Sequence, residues 1–137
     1  VLMDAGLEYG IHPRKKNLAG LRLALLALNK TYGIEGLKAE SAYYKDVEFK
    51  NDTAVVRFER ADMWVYGRNG LKSDLFEVAG EDRVFHPAKA WIERSKVYVK
   101  SDAVAHPVAV RYAFKDWADG DLYCDGLPVS SFRTDNW

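Results

Sequence analysis

The stretch Val47-Glu48-Phe49-Lys50-Asn51-Asp52-Thr53-Ala54-Val55-Val56 decides the fold. Val47 and Phe49 alternate with charged residues, and Ala54, Val56 and Phe58 resume the alternation beyond Asn51-Asp52. Period two marks a strand with one buried face. A two-residue turn at Asn51-Asp52 pairs Phe49 with Ala54 and Val47 with Val56. All four then share one face, so register and pattern agree. The same test works on Ala88–Val99. Ala90 and Ile92 alternate, Arg94-Ser95 makes the turn, and Val97 and Val99 follow. That register sets Ile92 against Val97, Ala90 against Val99, Trp91 against Tyr98 and Glu93 against Lys96. The last two are favourable cross-strand pairs. Leu75–Ala79 and Val108–Phe114 read as further strands, and Arg68-Asn69-Gly70 and Gly80-Glu81-Asp82 as turns. Short strands at regular spacing predict a β-sandwich, jelly-roll-like module over 43–137.

Residues 1–33 follow a different pattern. Val1-Leu2-Met3 is a short apolar run, read as the end of a buried strand cut from inside a longer protein. Asp4–Gly10 is a loop with Gly6 and Gly10, followed by Ile11-His12-Pro13. The residue before a proline is pushed out of the helical region, and proline suits the first helical turn. His12 therefore falls at a loop-to-helix junction. A helix is predicted over roughly Arg14–Thr31. Its apolar stripe is Leu18, Leu21, Leu25, Leu28 and Tyr32, widened by Leu23 and Leu26. Gly33 is a natural C-cap. Residues 34–42 read as a linker. The expected architecture is thus α+β: a terminal strand, loop and helix, then an all-β module. A leucine-rich helix alone in water exposes an apolar face, so it is expected to pack on the β-module or to drive self-association.

Composition narrows the function. Of 137 residues, 20 are Lys or Arg and 20 are Asp or Glu, giving zero net charge. Nucleic-acid binders carry a basic excess, and polybasic membrane binders do as well; neither partner is expected. At 48% apolar residues the chain can bury a core. The longest apolar-rich stretch, Leu21–Leu28, is broken by Arg22 and is too short to span a bilayer. Cys124 is the single cysteine, which excludes an internal disulfide. No HExxH, HxH or Cys/His spacing points to a metal, and no GxGxxG or P-loop points to a nucleotide. No cofactor is expected. A GxSxG nucleophile elbow is also missing.

The histidines carry what chemistry can be read. His12 is presented on a loop end, and loop ends at the carboxyl edge of α/β sheets are where ligands bind. Asp4 or Glu8 could orient its imidazole through the second nitrogen. His86 and His106 also precede prolines but lie in the β region, as strand-end and turn residues. Trp64, Tyr66, Trp91, Tyr98, Trp117, Tyr123 and Trp137 could form a sugar-stacking platform; core or cross-strand packing is the commoner use of such residues. Arg133 and Asp135 near the end of the chain read as a structural ion pair.

Several blocks together resemble the sialate O-acetylesterases. Asp4-Ala5-Gly6, Ile11-His12-Pro13-Arg14-Lys15-Lys16, Arg22-Leu23-Ala24-Leu25 and Tyr32-Gly33 look like that family's closing catalytic block. Phe76–Asp82, Pro87–Ala90, Pro107–Ala113 and Leu122–Trp137 resemble its C-terminal module. The resemblance implies an SGNH-type serine hydrolase that removes O-acetyl groups from sialic acids or related glycans. Residues 1–33 would be the end of the hydrolase domain and 43–137 a β-sandwich. His12 would be the general base, with the serine nucleophile and oxyanion donors in the remainder of a parent chain. The chain alone would then be inactive, and the parent's compartment would be periplasmic, extracellular or lysosomal. Many such enzymes carry an aspartate three positions before the histidine; here that residue is Tyr9. Asp4 matches the family's D-x-G and Glu8 is nearer, and a backbone carbonyl could also hold the ring. Asp4 is favoured, so the expected catalytic pair is His12 and Asp4.

Overall fold

Both hairpins form in the expected register. In this computed structural model, which describes residues 2–60, 64–71 and 73–137, β1 (Tyr43–Lys50) pairs antiparallel with β2 (Thr53–Glu59). Phe49 lies opposite Ala54 and Val47 opposite Val56. Asn51 takes a positive φ in the turn, a conformation its short side chain tolerates. The register shifts between Tyr44 and Asp46, a bulge at the start of β1. Further along, β3 (Tyr66–Gly67), β4 (Phe76–Ala79) and β5 (Phe85–Pro87) precede the second hairpin. That hairpin joins β6 (Lys89–Glu93) to β7 (Lys96–Lys100), with all four predicted pairs in place. Arg94 and Ser95 both have positive φ, as a turn matching the strand twist requires. The chain ends with β8 (Ala109–Tyr112), β9 (Leu122–Cys124), β10 (Leu127–Pro128) and β11 (Phe132–Arg133).

The strands make two four-stranded sheets, β1-β2-β7-β6 and β11-β8-β4-β5, and a small sheet β10-β9-β3. Ala54, Val56, Val97 and Val99 from the first sheet meet Phe76, Val78, Val110 and Tyr112 from the second in one buried cluster. Phe132 sits among Tyr44, Phe58, Phe76 and Tyr112, with ring centroids 5.1–6.5 Å apart. Burying one such side chain stabilises the fold by roughly 1.5–3 kcal/mol, so this interleaving is what joins the sheets. Leu122, Cys124 and Val65 extend the cluster into the small sheet. Cys124 is a free, buried thiol.

The N-terminal third departs from expectation at three points. Leu2 and Met3 form a turn, not a strand, and Val1 lies outside the described residues. An extended segment needs neighbours to satisfy its backbone, whereas Met3 spends its carbonyl on Gly120 N–H at 2.7 Å. The helix α1 runs Lys16–Lys30, starting two residues late. Its packed face is also rotated: Leu18, Ala19, Arg22, Leu25, Leu26 and Asn29 are covered, while Leu21 and Leu23 are 58% and 57% exposed. A count of leucines missed this because Arg22 occupies the centre of the packed face. Gly33 does end the helix region, at φ +68°, and Ile34 N–H bonds Leu28 O at 3.0 Å. The helix packs on the β-module as expected. Arg22 and Leu26 line a small crevice with Tyr43, Leu127 and Pro128, and Lys30 reaches Glu40 at 2.6 Å. Among the described residues no helix is long and apolar enough to cross a membrane.

Candidate functional site

The loop between Asp4 and Lys15 is held at its root and bare at its crown. At the root, Gly120 lets the β8–β9 connection touch the loop: a Cβ there would lie 2.9 Å from Met3 Cβ and 3.4 Å from Met3 O. Only glycine admits that approach without displacement. Leu7 and Gly10 bridge antiparallel across a tight turn. Tyr9 and Ile11 are almost wholly exposed, and His12 is exposed beside them. His12 makes no side-chain hydrogen bond among the described residues.

Asp4 is committed elsewhere. Arg22 Nη1 donates to Asp4 Oδ1 at 2.5 Å and Nη2 to Oδ2 at 2.9 Å. Both side chains are shielded, at 7% and 11% exposure. Such a fork-to-fork pair is among the stronger polar contacts available to a protein. The Tyr123 hydroxyl donates to Asp4 Oδ2 at 3.2 Å. Arg68 contacts the same hydroxyl and donates to Asp119 Oδ2 at 2.9 Å and Gly120 O at 2.9 Å. The Arg22 hydrogen bond holds the Asp4 carboxyl below the usual carboxylate range, against the opposing effect of burial. Arg22 is raised in turn, first by its bond to Asp4. Burial pushes the Tyr123 phenol up.

The structure therefore does not bring Asp4 and His12 into hydrogen-bond contact, and Glu8 is exposed without a bond to the ring. Asp4 instead ties the root of the His12 loop to α1 through Arg22 and to β9 through Tyr123. The sequence does not single out Arg68 or Asp119, and it offers Arg22 and Tyr123 only as part of a family block and as a stacking aromatic, not as partners of Asp4. One signal was available for Arg22: an arginine inside a leucine run, spaced four residues from Leu18 and Leu26.

The other candidates fall outside this cluster. His86 pairs with Val78 in β5, and His106 is exposed in a bend. The expected Arg133–Asp135 ion pair forms at 3.9 Å, but the stronger partner of Asp135 is Arg111, at 2.7 and 3.0 Å. Arg111 wins because it projects from the adjacent strand β8, whose register sets it opposite Arg133. Of the aromatics named above, none belongs to the buried core; Trp91 and Tyr98 do pack across strands. No cluster of three or more His, Cys, Asp or Glu suited to a metal occurs among the described residues.

Fold and site together describe a β-sandwich module that carries a helix and an exposed histidine loop latched by an Asp–Arg pair. Over 98% of its length this chain superposes on part of a carbohydrate acetylesterase from Xanthomonas citri, with 42% sequence identity and a TM-score of 0.89. The chain spans 31% of that protein's length. No family model and no curated protein matches it.

Proposed function

We propose that this chain is part of a carbohydrate O-acetylesterase of the SGNH type, acting on acetyl esters of sialic acids or related glycans. The observation that carries this is the 42% identity over 98% of the chain to part of a carbohydrate acetylesterase. His12 is the general base. It takes the proton from a serine hydroxyl as the oxygen attacks the acetyl carbonyl, then returns it to the departing sugar oxygen. The serine and the oxyanion donors belong to the remainder of a longer chain, and residues 1–33 complete that hydrolase domain. That remainder covers the bare side of α1, where Leu21 and Leu23 face solvent. Asp4 acts through position. Its bonds to Arg22 and Tyr123 set the root of the loop and hence where the imidazole stands. The chain alone releases no acetate, since none of its serines bonds His12.

The test is acetate release from O-acetylated sialic acid and from acetylated xylan by the hydrolase-joined chain, wild type against His12→Ala. Loss of a general base lowers the rate on the order of 100- to 10,000-fold. Release from only one of the two glycans settles the substrate class. Equal rates in wild type and variant refute His12 as base. No release from either glycan refutes the esterase reading.

A further inference from the structure

Two of the aromatic side chains left outside the core, Tyr66 and Trp91, line one cleft. It is a groove of about 310 Å³, open to solvent, between β3 and β6, walled by Tyr66 and Trp91 and floored by Gly67, Leu71 and Ile92. Its size falls at the lower end of small-ligand sites, roughly 300–1,000 Å³. We infer that this cleft binds a sugar ring of a glycan chain, with Tyr66 and Trp91 as its stacking walls.

Four observations support this. First, both rings are fixed in place. Trp91 stacks on Tyr98 with centroids 5.5 Å apart and planes 16° apart, and its Nε1 donates to Glu93 Oε1 at 3.0 Å. Tyr66 stacks on Tyr123 at 5.9 Å and 23°. An aromatic wall already held in its bound position loses little freedom when a ligand arrives. Second, both rings remain in water despite that order: Tyr66 and Trp91 are 43% and 38% exposed. Val65 between Trp64 and Tyr66 is buried, so the flanking aromatics share the outward side. Exposed apolar surface of this kind marks a binding site. Third, the floor is closely packed. A Cβ on Gly67 would come within 2.5 Å of the Leu71 backbone, so the turn closes tightly beneath the cleft. Fourth, the chemistry fits a sugar. A pyranose presents C–H groups of slight positive charge on its faces, which suit the negative face of an aromatic ring. An aliphatic peptide would find leucine-type walls a better match, and a nucleic acid would need the basic excess that this neutral chain lacks. The cleft is linked to the His12 loop by contact: Tyr66 stacks on Tyr123, and Tyr123 bonds Asp4.

The choice of a glycan over other flat ligands rests on the esterase reading; the binding geometry does not. The test titrates the chain with gluco-, xylo- and manno-hexaoses in β-1,4 linkage and with sialyl-lactose, reading tryptophan fluorescence and amide chemical shifts. At least one glycan is expected to bind saturably, with shifts at Tyr66, Gly67, Leu71 and Trp91. Trp91→Ala should weaken binding roughly 3- to 10-fold, the worth of one aromatic contact, and Trp91→Tyr should restore most of it. Unchanged far-ultraviolet circular dichroism in both variants guards against unfolding. His12→Ala should bind as wild type does. No saturable binding by any of the four, or shifts confined to other residues, overturns the proposal. Acetate release without binding at the cleft defeats this inference alone. Binding without acetate release defeats the esterase reading alone.

Discussion

Arg22 donates from both terminal nitrogens to the Asp4 carboxylate, at 2.5 and 2.9 Å, across 18 residues of sequence. The pair is shielded on both sides, so removing one partner strands the other charge away from water. Breaking a buried pair in this way costs about 3–5 kcal/mol. The Tyr123 hydroxyl still bonds Asp4 after the loss, which favours the low end. Arg22→Met is expected to lower the unfolding free energy by about 3 kcal/mol in urea. Asp4→Asn in the same chain should recover part of that loss, because the stranded charge is gone. A loss below about 1 kcal/mol for Arg22→Met would place the pair with ordinary surface ion pairs.

The carboxyls also set the acid limit. Asp4 is held below its ordinary value of 3.8 chiefly by the Arg22 hydrogen bond, and Asp135 below the same value chiefly by Arg111. With the folded value beneath the unfolded one, the folded state binds fewer protons near pH 4. The stability these groups contribute is therefore present above the unfolded value and is lost as pH falls through the folded one. Urea midpoints should be level from about pH 7 to 5 and fall steeply below about pH 4. Asp135→Asn should start lower at neutral pH and fall less on acidification. A parallel fall in variant and wild type would assign the acid limit to other groups.

How much of this was legible depends on distance along the chain. The Asn51-Asp52 and Arg94-Ser95 hairpins were readable because alternation and a two-residue turn fix register locally. The β3–β9 pairing was not, since Tyr66 meets Tyr123 across more than fifty residues through strands of two and three. The packed side of α1 was misread because hydrophobic periodicity gives no weight to a buried arginine. Arg22 is buried where Asp4 pairs with it and where it lines the crevice with Tyr43, Leu127 and Pro128, and those neighbours belong to the fold. The proline after His12 implies a loop-to-helix junction, and His12 lies exposed in the loop that leads into α1 at Lys16. Its lack of a bond to Asp4 could be seen only once Arg22 was found holding both oxygens.

Tyr112 offers a cleaner measurement on the sandwich. Its ring is wholly buried against Phe76 and Phe132. Its hydroxyl accepts from Asp121 N–H at 3.0 Å and Leu122 N–H at 2.9 Å and donates to Asp121 Oδ1 at 3.2 Å. Tyr112→Phe keeps the ring and leaves two amides at the start of β9 unsatisfied. A cost of about 1–3 kcal/mol is expected, with faster amide exchange at Asp121 and Leu122. Less than about 0.5 kcal/mol would mean that water replaces the hydroxyl at no loss.

The exposed side of α1 gives the last prediction. Leu21 and Leu28 stand seven residues apart, two turns along one stripe, and both face solvent while Leu25 and Leu26 are partly covered. A bare stripe of this kind promotes association at rising concentration. Sedimentation velocity on the chain alone should show weighted mass growing with concentration. Leu21→Glu with Leu28→Glu should hold it monomeric, with unfolding free energy within about 0.5 kcal/mol of wild type, as for surface positions. Leu26→Glu should instead unfold the helix, since Leu26 lines the crevice against Tyr43 and Leu127. Equal loss of stability in both variants would mean that the stripe is packed, and the hydrolase remainder would then have to bind elsewhere.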